Sequence, residues 1–223
     1  MGKKFIYSIV IATLLLFIVL VVAVQPVEKL YANEASEEPL ANHFWASMDH
    51  ISFEITNGGM YVEQRLPVAN VSEMLQFIET DDLDLTEMSV SIEDGMFKVV
   101  ENDKLLAFIP TQYTLYYTPS VKDGRIKLTL QEANIGRLPL SKGLVASQLE
   151  NAEMNLFQVD ELDRDSLLFV GTPRSFLFDT ARIEKEEFVV GFHVKIESLF
   201  DVLELANFMM PEQLIQVLKE KIL

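Results

Sequence analysis

The chain has 223 residues, no cysteine, and 18 basic against 34 acidic side chains, for a formal charge of −16. Charge of that sign repels phosphate backbones and excludes nucleic acid as a partner. The missing cysteine excludes a disulfide framework, a thiol nucleophile and a lipidated lipoprotein terminus.

Behind Met1-Gly2-Lys3-Lys4, the run Phe5–Val24 is apolar and free of charge. Its twenty residues make a helix of roughly 30 Å, the thickness of a bilayer's hydrocarbon core, so residues 1–25 read as a cytoplasmic start and transmembrane anchor. A cleaved signal peptide is the competing reading, with cut sites after Ala23 or Ala32. Its apolar part usually spans about 7–15 residues, so a retained anchor is expected. Basic Lys3 and Lys4 precede the run, while Glu28, Glu34, Glu37 and Glu38 follow it. Basic flanks stay in the cytoplasm, which assigns the carboxyl-terminal bulk to the outside of the cell.

Residues 26–42 are small and acidic, interrupted by Pro26 and Pro39, and read as a stalk. From 43 to 197 the pattern is that of one α+β domain. Ile51, Phe53 and Ile55 alternate with polar neighbours as in a half-buried strand. A cap at Asn70, with Glu73 three residues on, opens a helix that carries Val71, Met74, Leu75 and Ile78 on one stripe. Met88–Ile92 and Phe97–Val99 flank Asp94-Gly95, a hairpin signature, because Asp-Gly accepts the positive φ of a tight turn.

Lys104–Ile109 reads as a further strand after the Asn102-Asp103 break. Tyr113–Thr118 and Ile126–Leu130 repeat the hairpin pattern around Asp123-Gly124. A second helix is expected to start at Leu138-Pro139 and to carry Leu144, Val145 and Leu149. The strands Leu167–Val170, Phe176–Ile183 and Phe188–Ile196 follow. Residues 198–223 read as an amphipathic helical extension with Leu199, Val202, Leu203, Ile215 and Leu218 on apolar stripes. The expected architecture is a curved antiparallel sheet of about eight strands, packed with two or three helices.

The segments Tyr113–Pro119, Lys122–Leu128 and Ile135-Gly136-Arg137-Leu138-Pro139-Leu140, the last leading into an apolar helix, resemble the YpmS-type family. The likeness runs from the anchor to about Val194 and is strongest over Tyr113–Leu149. It implies a membrane-anchored protein of Gram-positive bacteria with one amino-terminal helix and an extracellular domain. The family supplies no catalytic residues to carry over. Read on their own chemistry, Gly136 lets a strand bend or another backbone approach, and Leu138, Pro139 and Leu140 set up the following helix.

Catalytic patterns are missing. His43, His50 and His193 have no metal-ligand spacing, and neither a serine elbow nor a phosphate loop occurs. The clusters Asp81-Asp82-Leu83-Asp84 and Asp160–Asp165 lack calcium-loop spacing and read as solvated loops. No cofactor, metal or catalytic residue is therefore expected. The aromatic residues Tyr113, Tyr116, Tyr117, Phe176, Phe178, Phe188 and Phe192 either fill the core or line a groove for an acyl chain. The expected function is that of a non-enzymatic, membrane-anchored envelope module that binds a lipid or lipid-linked molecule. The alternative is a scaffold that docks an envelope protein through residues 198–223.

Overall fold

The computed structural model describes residues 2–30, 51–56, 59–68, 88–150, 157–170 and 176–195. Helix α1 spans Gly2–Val24. The strands that follow are β1 (Ile51–Thr56), β2 (Gly59–Pro67), β3 (Met88–Glu93), β4 (Met96–Leu105), β5 (Ile109–Lys122), β6 (Arg125–Ile135) and the two-residue β7 (Leu138–Pro139). After α2 (Lys142–Leu149) come β8 (Phe157–Asp160), β9 (Asp163–Phe169), β10 (Phe176–Glu184) and β11 (Glu187–Lys195). The helix expected from Asn70, the tail Ser198–Leu223 and the stalk beyond Leu30 lie outside the described residues.

Every pairing among the described strands is antiparallel, but they form two sheets instead of one. One has the order β1-β2-β11-β10; the other runs β3-β4-β5-β6-β9-β8, with β7 paired on β6. The division comes from β11, which pairs with β2 from Glu187↔Pro67 to Lys195↔Gly59. An alternating pattern tells which face of a strand is apolar and leaves its neighbour open.

The two sheets bury their apolar faces against each other. Val62, Leu66, Phe176, Phe178, Phe188, Phe192 and Val194 on one side meet Val90, Phe97, Tyr117, Leu130 and Leu167 on the other. The Phe97 and Phe188 rings touch edge to face across the layers at 5.0 Å, a favoured geometry for aromatic pairs. Edge strand β10 is tied to the larger sheet through its Phe178 amide, which donates to the Gly124 carbonyl at 2.9 Å.

Asp94-Gly95 and Asp123-Gly124 turn as expected, all four residues at positive φ. Both turns lie at one end of the larger sheet, here the far end. The near end holds two other turns, and there the structure corrects the sequence reading. Lys104–Ile109 is not a strand: β4 ends at Leu105, the chain turns through Leu106 (φ 54°) and Ala107 (φ 66°), and β5 starts at Ile109. Leu138-Pro139 does not start a helix, because both residues pair with β6 (Ile135↔Leu138, Asn134↔Pro139). Helix α2 begins at Lys142 and buries Val145 and Ala146.

Helix α1 is 23 residues long, and each described side chain from Ile9 to Leu20 is exposed. Among the described residues, no helix is long and apolar enough to cross a membrane.

Candidate functional site

An α-helix leaves its last four carbonyls without partners inside the helix. In α1 the near end of the larger sheet satisfies three of them. The Arg137 amide donates to the Ala23 carbonyl at 2.8 Å. The Arg137 guanidinium reaches the Val22 carbonyl at 3.3 Å, a placement that also suits the negative end of the helix dipole. The Thr111 hydroxyl donates to the Val24 carbonyl at 2.8 Å. Gly136, at φ +56°, makes this approach possible: a Cβ there would collide with the Ala23 carbonyl oxygen. The backbone that approaches Gly136 belongs to α1.

The chain beyond the helix continues along β5. Gln112 is 1 % exposed, and its side-chain oxygen accepts from the amides of Val27 (3.1 Å) and Glu28 (3.0 Å). Its side-chain nitrogen donates to the Glu28 carbonyl and to Asn102 Oδ1, both at 2.9 Å. Three of the four hydrogen bonds of this buried amide hold the segment, and the fourth ties it to β4. Lys98 then ion-pairs with Glu28 at 2.5 Å and with Glu93 at 2.9 Å. Burial works against the Lys98 charge, but the hydrogen bonds it donates to its two carboxylate partners prevail and hold its pKa above the usual lysine value. Within the first residues of the expected stalk, Val27 and Glu28 are therefore tied to the sheet.

On the apolar side of the same junction, Val21 and Val24 pack with Ile109, Ile135, Tyr113, Leu138 and Leu140. Glu101 is paired across from Tyr113 and lies half-buried on the core-facing side of β4. Loss of hydration, and then the charge of Asp103, raise its carboxyl pKa. Burial likewise raises the Tyr113 and Tyr117 phenols, with Glu101 adding to both shifts.

The seven aromatic residues singled out in the sequence do not form one lining. Tyr117, Phe176, Phe178, Phe188 and Phe192 are buried in the shared core. Phe192 packs against Phe176 at 5.3 Å and Phe178 at 5.7 Å, so these rings contact one another. Tyr113 belongs to the α1 junction. Tyr116 lies on the opposite face of β5, across from Lys98. Of the structural motif, Gly136, Leu138 and Leu140 serve the junction, while Pro139 pairs with Asn134.

The second acidic cluster is not a solvated loop throughout. Asp160 is 3 % exposed and ion-pairs with Lys122 at 2.5 Å, with Lys127 at 3.8 Å. The Lys122 hydrogen bond lowers its pKa below the ordinary aspartate value, and the Leu162 amide adds to this. Asp163 accepts from Lys127 (2.7 Å) and Ser166 (2.8 Å), which lower its pKa in turn. These carboxylates are matched by lysines. Among the described residues, no group of three His, Asp or Glu side chains is arranged to hold a metal ion. The first cluster, Asp81–Asp84, and His43 and His50 lie outside the described residues. His193 contacts Asp179 at 2.7 Å and stacks obliquely on Tyr61 at 5.0 Å, on the outer face of the smaller sheet.

Sequence reasoning missed Thr111, Gln112, Arg137 and Glu101. The available signal was polar Thr111-Gln112 ahead of the aromatic run Tyr113–Tyr117, with Gly136-Arg137 directly after the partner strand. No family model, curated protein or solved structure matches the chain.

Proposed function

We propose that the chain is a non-enzymatic, single-pass membrane module of the cell envelope that binds a lipid or lipid-linked molecule at the outer membrane surface. In this reading its start is cytoplasmic and its sheets are extracellular. The uncharged run Phe5–Val24, preceded by Lys3 and Lys4, supports the anchor and its direction. The resemblance of Tyr113–Leu149 to the YpmS-type family supports the same placement.

The observation that carries the proposal is the hydrogen-bonded junction of α1 and the residues just after it with Thr111, Gln112 and Arg137, at the near end of the larger sheet. The ligand contact assigned here is the Tyr113–Glu101 region beside Val21 and Val24, since the phenylalanines named in the sequence are engaged with one another. The test uses the full chain in vesicles with a photoactivatable lipid-linked probe. Crosslinks on Tyr113 and its neighbours are expected, and crosslinks confined to α1 would count against the reading.

The packing of those same rings favours a second reading, a scaffold that docks an envelope protein through residues 198–223. Deleting that segment and comparing crosslinked partners separates the two. Unchanged partners would remove the scaffold reading.

A further inference from the structure

We infer that the tip of the β4–β5 hairpin is a second membrane contact, with Leu105, Leu106 and Phe108 seated in the outer edge of the lipid bilayer beside α1. This rests on the reading of α1 as the anchor.

The placement follows from the junction. Descending β5 toward its start, Lys98, paired across from Tyr116, meets Glu28; Gln112 meets Glu28 and Val27; Thr111 meets Val24; and Ile109 packs with Val21 and Val24. Strand β5 and the end of α1 thus run side by side in the same direction. The chain that leads into β5, Leu105 to Phe108, continues this ladder past Val24 toward the body of the helix. The arrangement sets the tip beside the last apolar turns of α1, where Leu20 and Val22 are also exposed.

The chemistry of the tip fits that level. Leu106 is 67 % and Phe108 69 % exposed, and Leu105 is exposed beside them. Isolated exposed apolar side chains need no explanation, but a contiguous group at one hairpin tip marks an interaction surface. The backbone adds a second argument. Leu106 and Ala107 hold positive φ, a conformation that the two far-end hairpins reach with Asp-Gly. Apolar L-residues occupy a turn that glycine or asparagine would make at lower cost, and strain of that kind clusters where a segment meets a ligand.

Lys104 and Arg137 lie at the same end, and neither forms an ion pair among the described residues. They supply cations at headgroup level in a chain whose net charge is −16. Asp103, the nearest acid on the hairpin, directs its carboxylate to the Lys104 amide at 2.6 Å. The occupant is therefore the lipid of the outer leaflet, which meets apolar side chains first and basic ones behind them.

The absence of cysteine makes the test direct. Single substitutions Leu106→Cys, Phe108→Cys, Leu162→Cys and Leu14→Cys in the full chain are each labelled with one polarity-sensitive fluorophore. The proteins are reconstituted into phosphatidylcholine–phosphatidylglycerol vesicles. Leu162 is 89 % exposed, and its amide bonds to Asp160 beside Lys122, so it reports the far end. Labels at 106 and 108 are expected to be quenched several-fold more by acyl-chain nitroxides than the label at 162, and to be shielded from aqueous iodide. Lipid quenching at 14 with iodide access at both 106 and 108 overturns the hairpin contact and leaves the anchor standing. Iodide access at 14 as well removes the anchor and the inference together. Shielding from iodide at 106 and 108 without lipid quenching assigns the tip to a protein contact and also overturns the inference.

Discussion

At the far end of the larger sheet both hairpins turn through Asp-Gly, and the neighbouring carboxylate, Asp160, is answered by Lys122 and Lys127. At the near end the turns are Leu106-Ala107 and Gly136-Arg137, and the neighbouring carboxylate, Glu101, has no hydrogen bond or ion pair among the described residues. The same strands join both ends, so the difference is not imposed by the fold. The far end uses residues that make a tight turn in water at least cost. The near end receives α1 with buried polar groups and a glycine, which is what distinguishes a surface that meets something from one that only closes a sheet.

The largest expected effect belongs to the middle that both ends share. Leu130→Ala, at a position 1 % exposed between the layers, should destabilise by about 2–5 kcal/mol in denaturant unfolding, with both ends lost together. Separate transitions for the two ends would break the view of one shared core. Next come the glycines. Gly136→Ala meets both positive φ and the α1 backbone and should cost about 1–3 kcal/mol, whereas Gly95→Ala meets only the backbone conformation, with nothing within 4 Å. Equal costs at the two positions would contradict the docking of α1.

Gln112→Ala leaves the amides of Val27 and Glu28 without their acceptor, for about 1–3 kcal/mol. Hydrogen exchange should accelerate at those two amides and stay unchanged in the Asp123-Gly124 hairpin. The smallest effects are the most diagnostic, because they have opposite signs. Folding raises the Glu101 pKa, so its ionisation opposes the fold above that raised value. Glu101→Gln should stabilise the protein at neutral pH, with the gain fading as pH falls to the ordinary 4.5 and below. Folding lowers the Asp160 pKa, so its charge supports the fold at and above the ordinary 3.8. Asp160→Asn should destabilise at neutral pH, and the difference should disappear as acid takes the pH below 3.8 and through the lowered value. Thermal melts across pH check both signs.

What could be read in the sequence follows the same division. The far-end hairpins were legible because Asp-Gly encodes positive φ in its own chemistry. The near-end hairpin was not, since Leu106 and Ala107 give no such signal, and Lys104–Ile109 therefore looks like one strand. Strand β2 was hidden because Gln64 sits buried between Val62 and Leu66 and breaks the apolar alternation. Pro139 suggested a helix start, but the pairing of Leu138 with Ile135 holds it in a bridge to β6. The aromatic residues were recognised as important, yet only their mutual contacts distinguish five core fillers from Tyr113 at the junction. At Gly136 the missing Cβ admits a close neighbour, and which neighbour depends on a segment more than a hundred residues earlier.

The seam from Val22 to Glu28 leaves no swivel between helix and sheets. With α1 as the anchor proposed above, helix and domain would turn as one body about the helix axis, and a neighbour in the bilayer that fixes one side of α1 would also decide which flank of the acidic domain it meets. Such a chain has a compass bearing as well as a height above the lipid, and inserting a few flexible residues after Val24 would erase the first without altering the second.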